Sequence, residues 1–301
     1  MKILNFGSLN IDYVYLVPHF VQRGETLMSK ERRIFSGGKG LNQSVALARA
    51  GLPVWHAGCI GEEGRLLLDA LQASGVNTSL VRVQSEVPSG HTVIQNADDG
   101  DNCILLFGGA NHIITEEQVD RTLEQFSPGD YLVLQNEINL LGDIMRKAHA
   151  RGMKVVLNPS PMDRDILSLP LETVSYLFVN EIEASQLTGV SAEDADALTR
   201  ALRERLPHAC IVLTLGTNGS RYIHGDDLEI QGVYPVQATD TTAAGDTFTG
   251  FFLAGVIEGR SPKEALDLAS RASAISVTRP GAAPSIPARE EVENYRERNA
   301  L

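Results

Sequence analysis

The sequence predicts an α/β fold, with a mainly parallel central sheet flanked by helices on both faces and a small additional β-sheet. Two observations predict this class. Short apolar runs alternate with segments of helical period through most of the 301 residues, and two stretches, about 13–34 and 91–107, break the alternation. No internal repeat, low-complexity tract or linker rich in Pro, Gly or Ser divides the chain. We therefore expect a single domain over residues 1–301.

Buried strands are predicted where short apolar runs lie between turn signals, because both faces of a parallel sheet are covered. These runs lie at 2–6, 54–59, 131–134, 154–157, 176–179 and 211–215. After the first run, Leu41, Val45 and Ala48 recur at helical spacing. Gly51 follows them, at a place where helices commonly end in a left-handed residue. A helix is therefore predicted between the first two strands.

Two further helices have starts that the sequence indicates. Thr115 with Gln118, and Ser261 with Glu264, both fit the capping box, in which the first side chain and the third helical residue bond each other's backbone N–H. Pro262 falls at the first helical position, where its missing N–H costs nothing. Helices are therefore predicted to begin at these two places.

The stretches 13–34 and 91–107 predict a separate small sheet. The second of them, HTVIQNADDGDNCILLF, is typical of two strands joined by an Asp-Asp-Gly turn. Beside an α/β core that binds ligands at the carboxyl ends of its strands, such a sheet suits a lid that closes over a substrate. Since unpaired strand edges are usually covered, we also expect a homodimer that forms through this lid.

Composition limits the possible partners and the cellular compartment. Lys and Arg total 26 against 38 Asp and Glu, and the net charge of -12 would repel nucleic acids and anionic membranes. The three cysteines are widely separated, which disfavours a zinc site or a disulfide framework. The first residues, MKILNFGSLNID, lack the long apolar stretch of a signal peptide. We therefore expect a cytoplasmic enzyme that acts on small molecules.

The segment DTTAAGDTFTGFF, at 240–252, has the strongest chemical signature. Small residues precede Asp246 and an apolar helical run, so several backbone N–H groups should converge at a helix N-terminus. Such a turn can bind the charge on a transferred phosphoryl group, while the carboxylate takes the proton of an attacking hydroxyl. Asp246 is therefore the candidate catalytic base. The alternative is that Asp246 only caps the helix.

A second glycine cluster, SGGKGLNQS at 36–44, also opens a helix. Its bare backbone would allow a hydroxylated ligand to approach closely. Neither the P-loop nor the Rossmann fingerprint applies, because Lys39 is followed by Gly40 and no G-x-G-x-x-G follows a strand. The alternative is that these glycines only form a tight turn.

Together the two clusters resemble the ribokinase-like (PfkB) family of carbohydrate kinases. GGKGLNQ is similar to the first signature of that family and DTTAAGDTF to the second. The resemblance covers essentially the whole chain, because further motifs follow in the family's order: GSLNID, RGET, GGAN, LNPSP, VNEIEA, TLG and VTRPGAAPS. It implies a ribokinase-like fold and an ATP-dependent enzyme that phosphorylates the primary hydroxyl of a small sugar, with D-ribose as the expected substrate.

The resemblance also implies a sugar site that includes Asp246. Its other residues would be Asn10, Asp12, Gly38, Lys39, Asn42 and Glu137. A carboxylate at position 12 would accept two O–H bonds and discriminate against sugars that lack these hydroxyls. The alternatives are an Asx turn for Asn10 and Asp12 and a solvated loop carboxylate for Glu137.

On the nucleotide side, the resemblance implies ATP with Mg²⁺, and K⁺ as a monovalent activator. The residues that would line ATP or organise the magnesium region are Asn180, Glu183, Thr214, Gly216, Ala244, Gly245 and, near the adenine, Ser270. The K⁺ site would form chiefly through backbone carbonyls at Asp240, Thr242, Ser276, Arg279, Gly281 and Ser285.

Two alternatives to ribose phosphorylation stay open. Phe107 and the aromatic run at 13–20 depart from the family pattern near the expected lid, which leaves deoxyribose, fructose, keto-deoxygluconate or adenosine as substrates. A sensor that binds a sugar without catalysis belongs to a different class. The retained Asp246 disfavours it, because loss of the base would be the simplest route to such a sensor.

Overall fold

The computed structural model describes residues 1–295. In chain order its strands are β1 (Ile3–Phe6), β2 (Asn10–Val17), β3 (Glu31–Gly37), β4 (Val54–Gly61), β5 (Asn77–Gln84), β6 (Gly90–Ala97), β7 (Asn102–Phe107), β8 (Tyr131–Gln135), β9 (Lys154–Asn158), β10 (Val174–Asn180), β11 (Cys210–Thr214), β12 (Ser220–His224) and β13 (Asp227–Gln231). Its helices are α1 (Lys39–Arg49), α2 (Arg65–Ala73), α3 (Glu116–Leu123), α4 (Leu141–Ala150), α5 (Glu181–Thr188), α6 (Ala195–Arg205), α7 (Ala244–Ile257), α8 (Pro262–Ser276) and α9 (Arg289–Glu293).

The large sheet has the strand order β13-β12-β11-β10-β9-β8-β1-β4-β5. All neighbours from β5 to β11 pair in parallel, and β12 and β13 add an antiparallel edge. The six strands predicted from the apolar runs are β1, β4, β8, β9, β10 and β11, and all six are confirmed. The sequence did not predict β5 or the β12–β13 hairpin.

Successive residues of the central strands enter two different hydrophobic cores, since side chains alternate across a strand. Ile3 packs in a core with α1, α7 and α8, whereas Leu4 packs in a core with α3 and α4. On β8, Val133 likewise packs in the first of these cores and Leu134 in the second. The sheet is therefore covered by helices on both faces, and the predicted α/β class is confirmed.

The second sheet has the order β3-β2-β6-β7. The predicted hairpin is present, because β6 and β7 pair antiparallel and Gly100 takes a φ of 94° in the turn. This sheet comes from the two stretches that broke the α/β pattern. Its action as a lid remains a prediction.

The starts and ends of three helices agree largely with the sequence pattern. Gly51 follows α1 with a φ of 96°, and Ser261 forms a reciprocal capping box with Glu264. Thr115 accepts the N–H of Gln118 at 3.2 Å. The prediction that the Gln118 side chain bonds the Thr115 N–H in return is wrong, because the Gln118 amide instead donates to the Gly58 carbonyl at 3.0 Å.

Among residues 1–295, none of the helices combines the length and the apolar character that crossing a membrane would require.

Candidate active site

A cavity of about 360 Å³ lies at the carboxyl ends of β9, β10 and β11. Parallel strands end at the same edge of a sheet, so Asn158, Asn180 and Thr214 meet there, as expected for ligand sites in such folds. The first turn of α7 and Lys39 of α1 complete the lining. Eight of the predicted site residues line this cavity: Lys39, Asn180, Glu183, Thr214, Thr242, Ala244, Gly245 and Asp246.

Asp246 lies in the first turn of α7 and is only 6% exposed. Its Oδ2 accepts a hydrogen bond from Asn42 Nδ2 at 3.1 Å, and its Oδ1 accepts one from Gln43 Nε2 at 2.9 Å. The N-cap position belongs to Ala243, with a φ of 61°, and has no side-chain cap bond. Asp246 is therefore held by α1 across the cavity floor and does not act as the helix cap.

The backbone at the start of α7 can bind an anion. Within residues 1–295, the N–H groups of Gly245 and Asp246 have no hydrogen-bond acceptor, as is usual in a first helical turn. The partial positive charge of the helix N-terminus adds to them. A Cβ atom placed on Gly245 would meet nothing within 4 Å, so this turn faces open space. The geometry suits a phosphate group beside a carboxylate.

Lys39 contributes a positively charged side chain to the cavity. Burial disfavours its charge, but the carboxylates of Asp246, Glu137 and Glu183 outweigh burial and raise the pKa of the Lys39 ammonium. The side chain is therefore charged at neutral pH. A fixed positive charge at this place can offset the charge of a phosphoryl group.

Glu137 follows β8 and contacts the start of α1. Its Oε2 accepts the backbone N–H of Lys39 at 3.0 Å and the hydroxyl of Ser8. Burial raises the pKa of the Glu137 carboxyl, although the Ser8 bond and the Lys39 charge oppose the change. Glu137 is thus not a solvated loop carboxylate.

Asn10 and Asp12 lie within β2, so they do not form an Asx turn. Asp12 Oδ1 accepts the Thr92 hydroxyl at 2.6 Å. Burial raises the pKa of Asp12 to about 6, the Thr92 bond lowers it, and the charge of Glu137 raises it further. Asn10 Oδ1 accepts from Asn111 Nδ2 at 2.7 Å, which leaves the amide N–H₂ of Asn10 as the donor for another group.

Two glycines bring α1 against the loop that follows β1. Gly38 precedes α1 with a φ of 93°, a conformation that side chains other than glycine rarely adopt. A Cβ atom on Gly40 would lie 2.6 Å from the carbonyl carbon of Gly7. The close approach places the start of α1 against Glu137, through the Lys39 N–H, and against Asp246, through Asn42. The cluster therefore does more than form a tight turn.

Asn180 and Glu183 form a reciprocal capping box at the start of α5. The N–H of Asn180 donates to Glu183 Oε2 at 2.9 Å, and both residues line the cavity. Residues 1–295 contain no cluster of three or more His, Cys, Asp or Glu able to hold a metal. Oxygen donors that face a phosphate site suit Mg²⁺, which keeps several waters and needs few protein ligands.

Two of the predicted nucleotide residues do not line this cavity. Gly216 begins a short 3₁₀ turn just beyond β11, with a φ of 52°. Ser270 is buried on α8.

Asp240 links two loops at the edge of the site. Its Oδ1 accepts the N–H and hydroxyl of Thr242 at 2.9 and 2.6 Å, and its Oδ2 accepts the N–H of Gly281 at 2.8 Å. Burial raises the pKa of Asp240, but these bonds outweigh it and the net pKa is lowered. The hydroxyls of Ser276 and Ser285 donate to nearby carbonyls, and Arg279 pairs with Glu291. Asp240 thus joins Thr242 and Gly281 directly. The Arg279 N–H also donates to the Ser276 carbonyl at 3.0 Å, which links two more of the six predicted cation-site residues.

Several residues that shape the site were not predicted. Gln43 holds Asp246, Ser8 holds Glu137, Thr92 holds Asp12 and Asn111 holds Asn10. All but Thr92 lie inside quoted motifs, so their position in a motif was the available signal. Ala243, in the predicted anion-binding turn, also lines the cavity. Unpredicted lining residues are Asn158, Ser160, Phe178, Val179, Thr241 and Thr249.

Phe107 and Tyr13, two of the aromatic residues that depart from the family pattern, lie on the opposite face of the small sheet from Asp12. The rings of His91 and Phe107 lie 5.0 Å apart between centroids at a tilt of 40°, and His91 meets Tyr13 edge to face at 6.0 Å. Thr92, which bonds Asp12, follows His91 in β6 and therefore points to the opposite face of the small sheet. Phe107 consequently does not narrow the face on which Asp12 lies.

Comparison with known proteins identifies the family to which the chain belongs. The pattern described as pfkB family carbohydrate kinase matches residues 1–289. A ribokinase of Haemophilus influenzae is 37% identical over 300 residues, covering 97% of each chain. A deoxyribokinase of Salmonella typhi is 29% identical and covers 98% of each chain.

Solved structures agree as well. The structure of Arabidopsis thaliana ribokinase complexed with ribose and ATP has a TM-score of 0.88, at 31% identity and 97% coverage of both chains. The chain therefore belongs to the pfkB family of carbohydrate kinases and is a phosphotransferase that acts on a hydroxyl acceptor.

Proposed function

We propose that this protein is an ATP-dependent kinase that transfers the γ-phosphoryl group of ATP to the primary hydroxyl of D-ribose. The observation that carries the proposal is the position of Asp246, which joins an anion-binding helix N-terminus to a group of sugar-facing polar residues. The similar Arabidopsis thaliana protein is complexed with ribose and ATP, and the similar Haemophilus influenzae protein is a ribokinase.

The transfer begins with ribose held on the small-sheet side. Asp12 accepts sugar hydroxyls, while Asn10 donates with the amide that Asn111 orients. Gly38, Lys39, Asn42 and Glu137 complete this side of the site. An ionised Asp12 accepts two O–H bonds, and a sugar that lacks either hydroxyl would leave a buried acceptor unpaired.

The chemistry takes place between Asp246 and the start of α7. Asp246 accepts the proton of the primary hydroxyl, and the hydroxyl oxygen forms a bond to the γ-phosphorus as the bond to the β–γ bridging oxygen breaks. The products are ribose 5-phosphate and ADP. Lys39 and the N–H groups of Gly245 and Asp246 stabilise the charge on the transferred group.

Asn180 and Glu183 are proposed to hold Mg²⁺ through water at the phosphate side of the cavity. The metal, when bound to ATP, neutralises phosphate charge. Thr214, Gly216 and Ala244 are proposed to contact ATP. Ser270 is proposed near the adenine, although it lies outside the cavity.

A K⁺ site is proposed where Asp240 joins the loops that contain Thr242 and Gly281. An ionised carboxylate between two loops supports this proposal, because it supplies charge where backbone carbonyls can converge. The other proposed contributors are Ser276, Arg279 and Ser285. Bound K⁺ would fix the turn that precedes Asp246.

The small sheet is proposed to act as the lid and as the dimer contact. All residues of β7 are exposed, including Ile104, Leu105 and Leu106 at 56, 70 and 47%. An exposed apolar edge strand presents unpaired backbone groups with which a strand of another chain can pair. We also propose a cytoplasmic location, which the three free cysteines support.

A second candidate substrate is 2-deoxyribose, which the similarity to the Salmonella typhi deoxyribokinase favours. The two sugars differ by one hydroxyl, so Asn10 and Asp12 would decide between them and Asp246 would act in the same way on both. Fructose, keto-deoxygluconate and adenosine remain further candidates. A sensor without catalysis is disfavoured by the intact geometry of Asp246.

The test is coupled ADP release by the purified protein with Mg-ATP and either K⁺ or Na⁺. Each of the five candidate compounds is supplied in turn. We expect the highest kcat/KM for ribose, with a higher rate in K⁺ than in Na⁺. If another compound gives the highest kcat/KM, that compound takes the place of ribose as the proposed substrate. Binding of a sugar without ADP release would favour the sensor.

A further inference from the structure

A chain of buried side-chain amides leads from the central sheet to Asp246. Asn5 lies on β1, Gln135 on β8 and Gln43 on α1, and each of the three side chains is 0% exposed. Gln135 Nε2 donates to Gln43 Oε1 at 2.6 Å and to Asn5 Oδ1 at 3.3 Å. Gln43 Nε2 then donates to Asp246 Oδ1 at 2.9 Å.

The direction of each amide in this chain is fixed by the preceding one. Asn5 Nδ2 donates to the Gly40 carbonyl at 2.8 Å, so Asn5 must present its oxygen to Gln135. Gln135 then presents its N–H₂ to Gln43, which leaves the oxygen of Gln43 facing Gln135 and its N–H₂ facing Asp246. If Gln43 were reversed, its oxygen would face the carboxylate and its N–H₂ would face that of Gln135. Both contacts would be repulsive.

This arrangement is hard to explain by stability alone. Gln135 Oε1 has no hydrogen-bond partner among residues 1–295, although it is buried. Apolar side chains avoid such an unpaired group, and the same face of these strands carries Ile3 and Val133 two residues before Asn5 and Gln135. A partly satisfied polar chain inside a sheet therefore indicates a role outside the core.

We infer that Asn5, Gln135 and Gln43 form an amide relay that positions the Asp246 carboxylate for proton transfer. The inference rests on the proposed role of Asp246 as the base and assigns these residues a positioning role that the site motifs alone do not give. The relay begins at the Gly40 carbonyl, so it also ties the orientation of the base to the turn that carries Lys39. Asn42 fixes the second carboxylate oxygen independently, at 3.1 Å.

The test uses Gln135→Met and Asn5→Leu, which remove an amide at nearly constant volume without touching Asp246. Gln118→Met is the matched control, because Gln118 is also a buried glutamine but donates to Gly58, away from the cavity. For each variant, kcat is measured on the sugar that the wild type phosphorylates best, together with the dissociation constants of that sugar and ATP and the melting temperature. A crystal structure of Gln135→Met is determined in parallel.

The relay predicts that Gln135→Met lowers kcat by about tenfold to a hundredfold, because misplacing a reacting group by about 1 Å can cost about a hundredfold. Asn5→Leu should give a smaller loss, and both variants should bind sugar and ATP within about twofold of the wild type. The crystal structure should show the Asp246–Gln43 bond broken or the carboxylate rotated. Gln118→Met should retain kcat even if it melts earlier.

Unchanged kcat in both relay variants, or a loss that Gln118→Met shares at equal melting temperature, would overturn the relay. If the wild type phosphorylates none of the sugars, the proposed function fails, and the crystal structure alone decides the relay. An Asp246 carboxylate that stays in place beside Gln43 in Gln135→Met would then contradict it.

Discussion

The N-termini of α1 and α7 both begin at turns of glycine and small residues, yet the glycines serve different purposes. At α1, a Cβ atom on Gly40 would lie 2.6 Å from the Gly7 carbonyl carbon, so the position is filled by protein. At α7, a Cβ atom on Gly245 would meet nothing within 4 Å. The first glycine therefore allows two backbones to pack, whereas the second leaves space for a ligand. What lies opposite a glycine, rather than the glycine itself, decides its role.

The first prediction concerns the carboxylate at the open N-terminus. Asp246→Asn should lower kcat by about 10²–10⁴, the usual contribution of a general base, while sugar and ATP bind with nearly unchanged dissociation constants. Coupled ADP release and isothermal titration calorimetry measure the two quantities. Asp130→Asn is the matched control, because Asp130 is also buried but bonds the backbone N–H groups of Lys2 and Ser127. Near-normal turnover of Asp246→Asn would remove it from the role of base.

The fold was largely predictable because buried parallel strands are short apolar runs with clear ends. The missed strand β5 (NTSLVRVQ) and the β13 strand (DLEIQ) lie at the two edges of the sheet and are rich in exposed polar residues. The alternation of apolar and polar residues along these strands is weak because one face of the strand, or both, contacts solvent. Strand pairing at an edge depends on the neighbouring strand, which the local sequence does not contain.

The candidate site was predictable only in part. Motifs indicated Asp246 and Lys39, and the structure places both in the cavity. The partners that hold Asp246 come from α1, about 200 residues away in sequence at separations of 203 and 204. No local pattern indicates that Gln43, rather than a neighbouring polar residue, reaches the carboxylate.

The second prediction tests the packed N-terminus. Gly40→Ala should destabilise the fold by about 1–3 kcal/mol, because the added methyl group overlaps the Gly7 backbone and neither segment can move freely. Urea denaturation measures the free energy of unfolding. Gly232→Ala is the control, since a Cβ atom there would meet nothing within 4 Å. Equal stability of the two variants would show that the α1 turn has room to relax.

The third prediction concerns the sugar side of α1. Because the pKa of Asp12 is raised to about 6, the carboxylate is ionised above that pH and becomes protonated below it. The dissociation constant of the sugar should therefore be constant above pH 7 and should rise by about tenfold per pH unit below pH 5. Calorimetric titrations at about unit intervals from about pH 4 to about pH 8 measure this dependence on both sides of the expected midpoint.

Two variants sharpen the pH test. Thr92→Val removes the hydrogen bond that lowers the pKa of Asp12, so the midpoint should move to higher pH. Asp12→Asn should bind the sugar weakly, and its affinity should show little dependence on pH in this range. If the pH dependence persists in Asp12→Asn, it belongs to another group, of which Glu137 is the nearest with a raised pKa.

The fourth prediction tests the open N-terminus and should give the smallest effect. Gly245→Ala should leave the fold equally stable or stabilise it by about 0.5–1 kcal/mol, since alanine is the better helix former and nothing contacts its methyl group. The added methyl group should hinder the approach of a phosphate, and the KM for ATP should rise by about fivefold for each kcal/mol of binding free energy that is lost. Thermal unfolding and steady-state kinetics measure the two effects. A large loss of stability without a change in KM would mean that Gly245, like Gly40, serves packing.

The most direct test of the whole account is to identify the phosphorylated carbon in the product. Uniformly ¹³C-labelled ribose is incubated with Mg-ATP, K⁺ and the wild-type protein, and the product is analysed by ³¹P and ¹³C NMR. We expect phosphorus coupling at C5, because the account places the primary hydroxyl between Asp246 and the α7 N-terminus. Phosphorylation at C1 or another carbon, or no product from ribose, would contradict this placement.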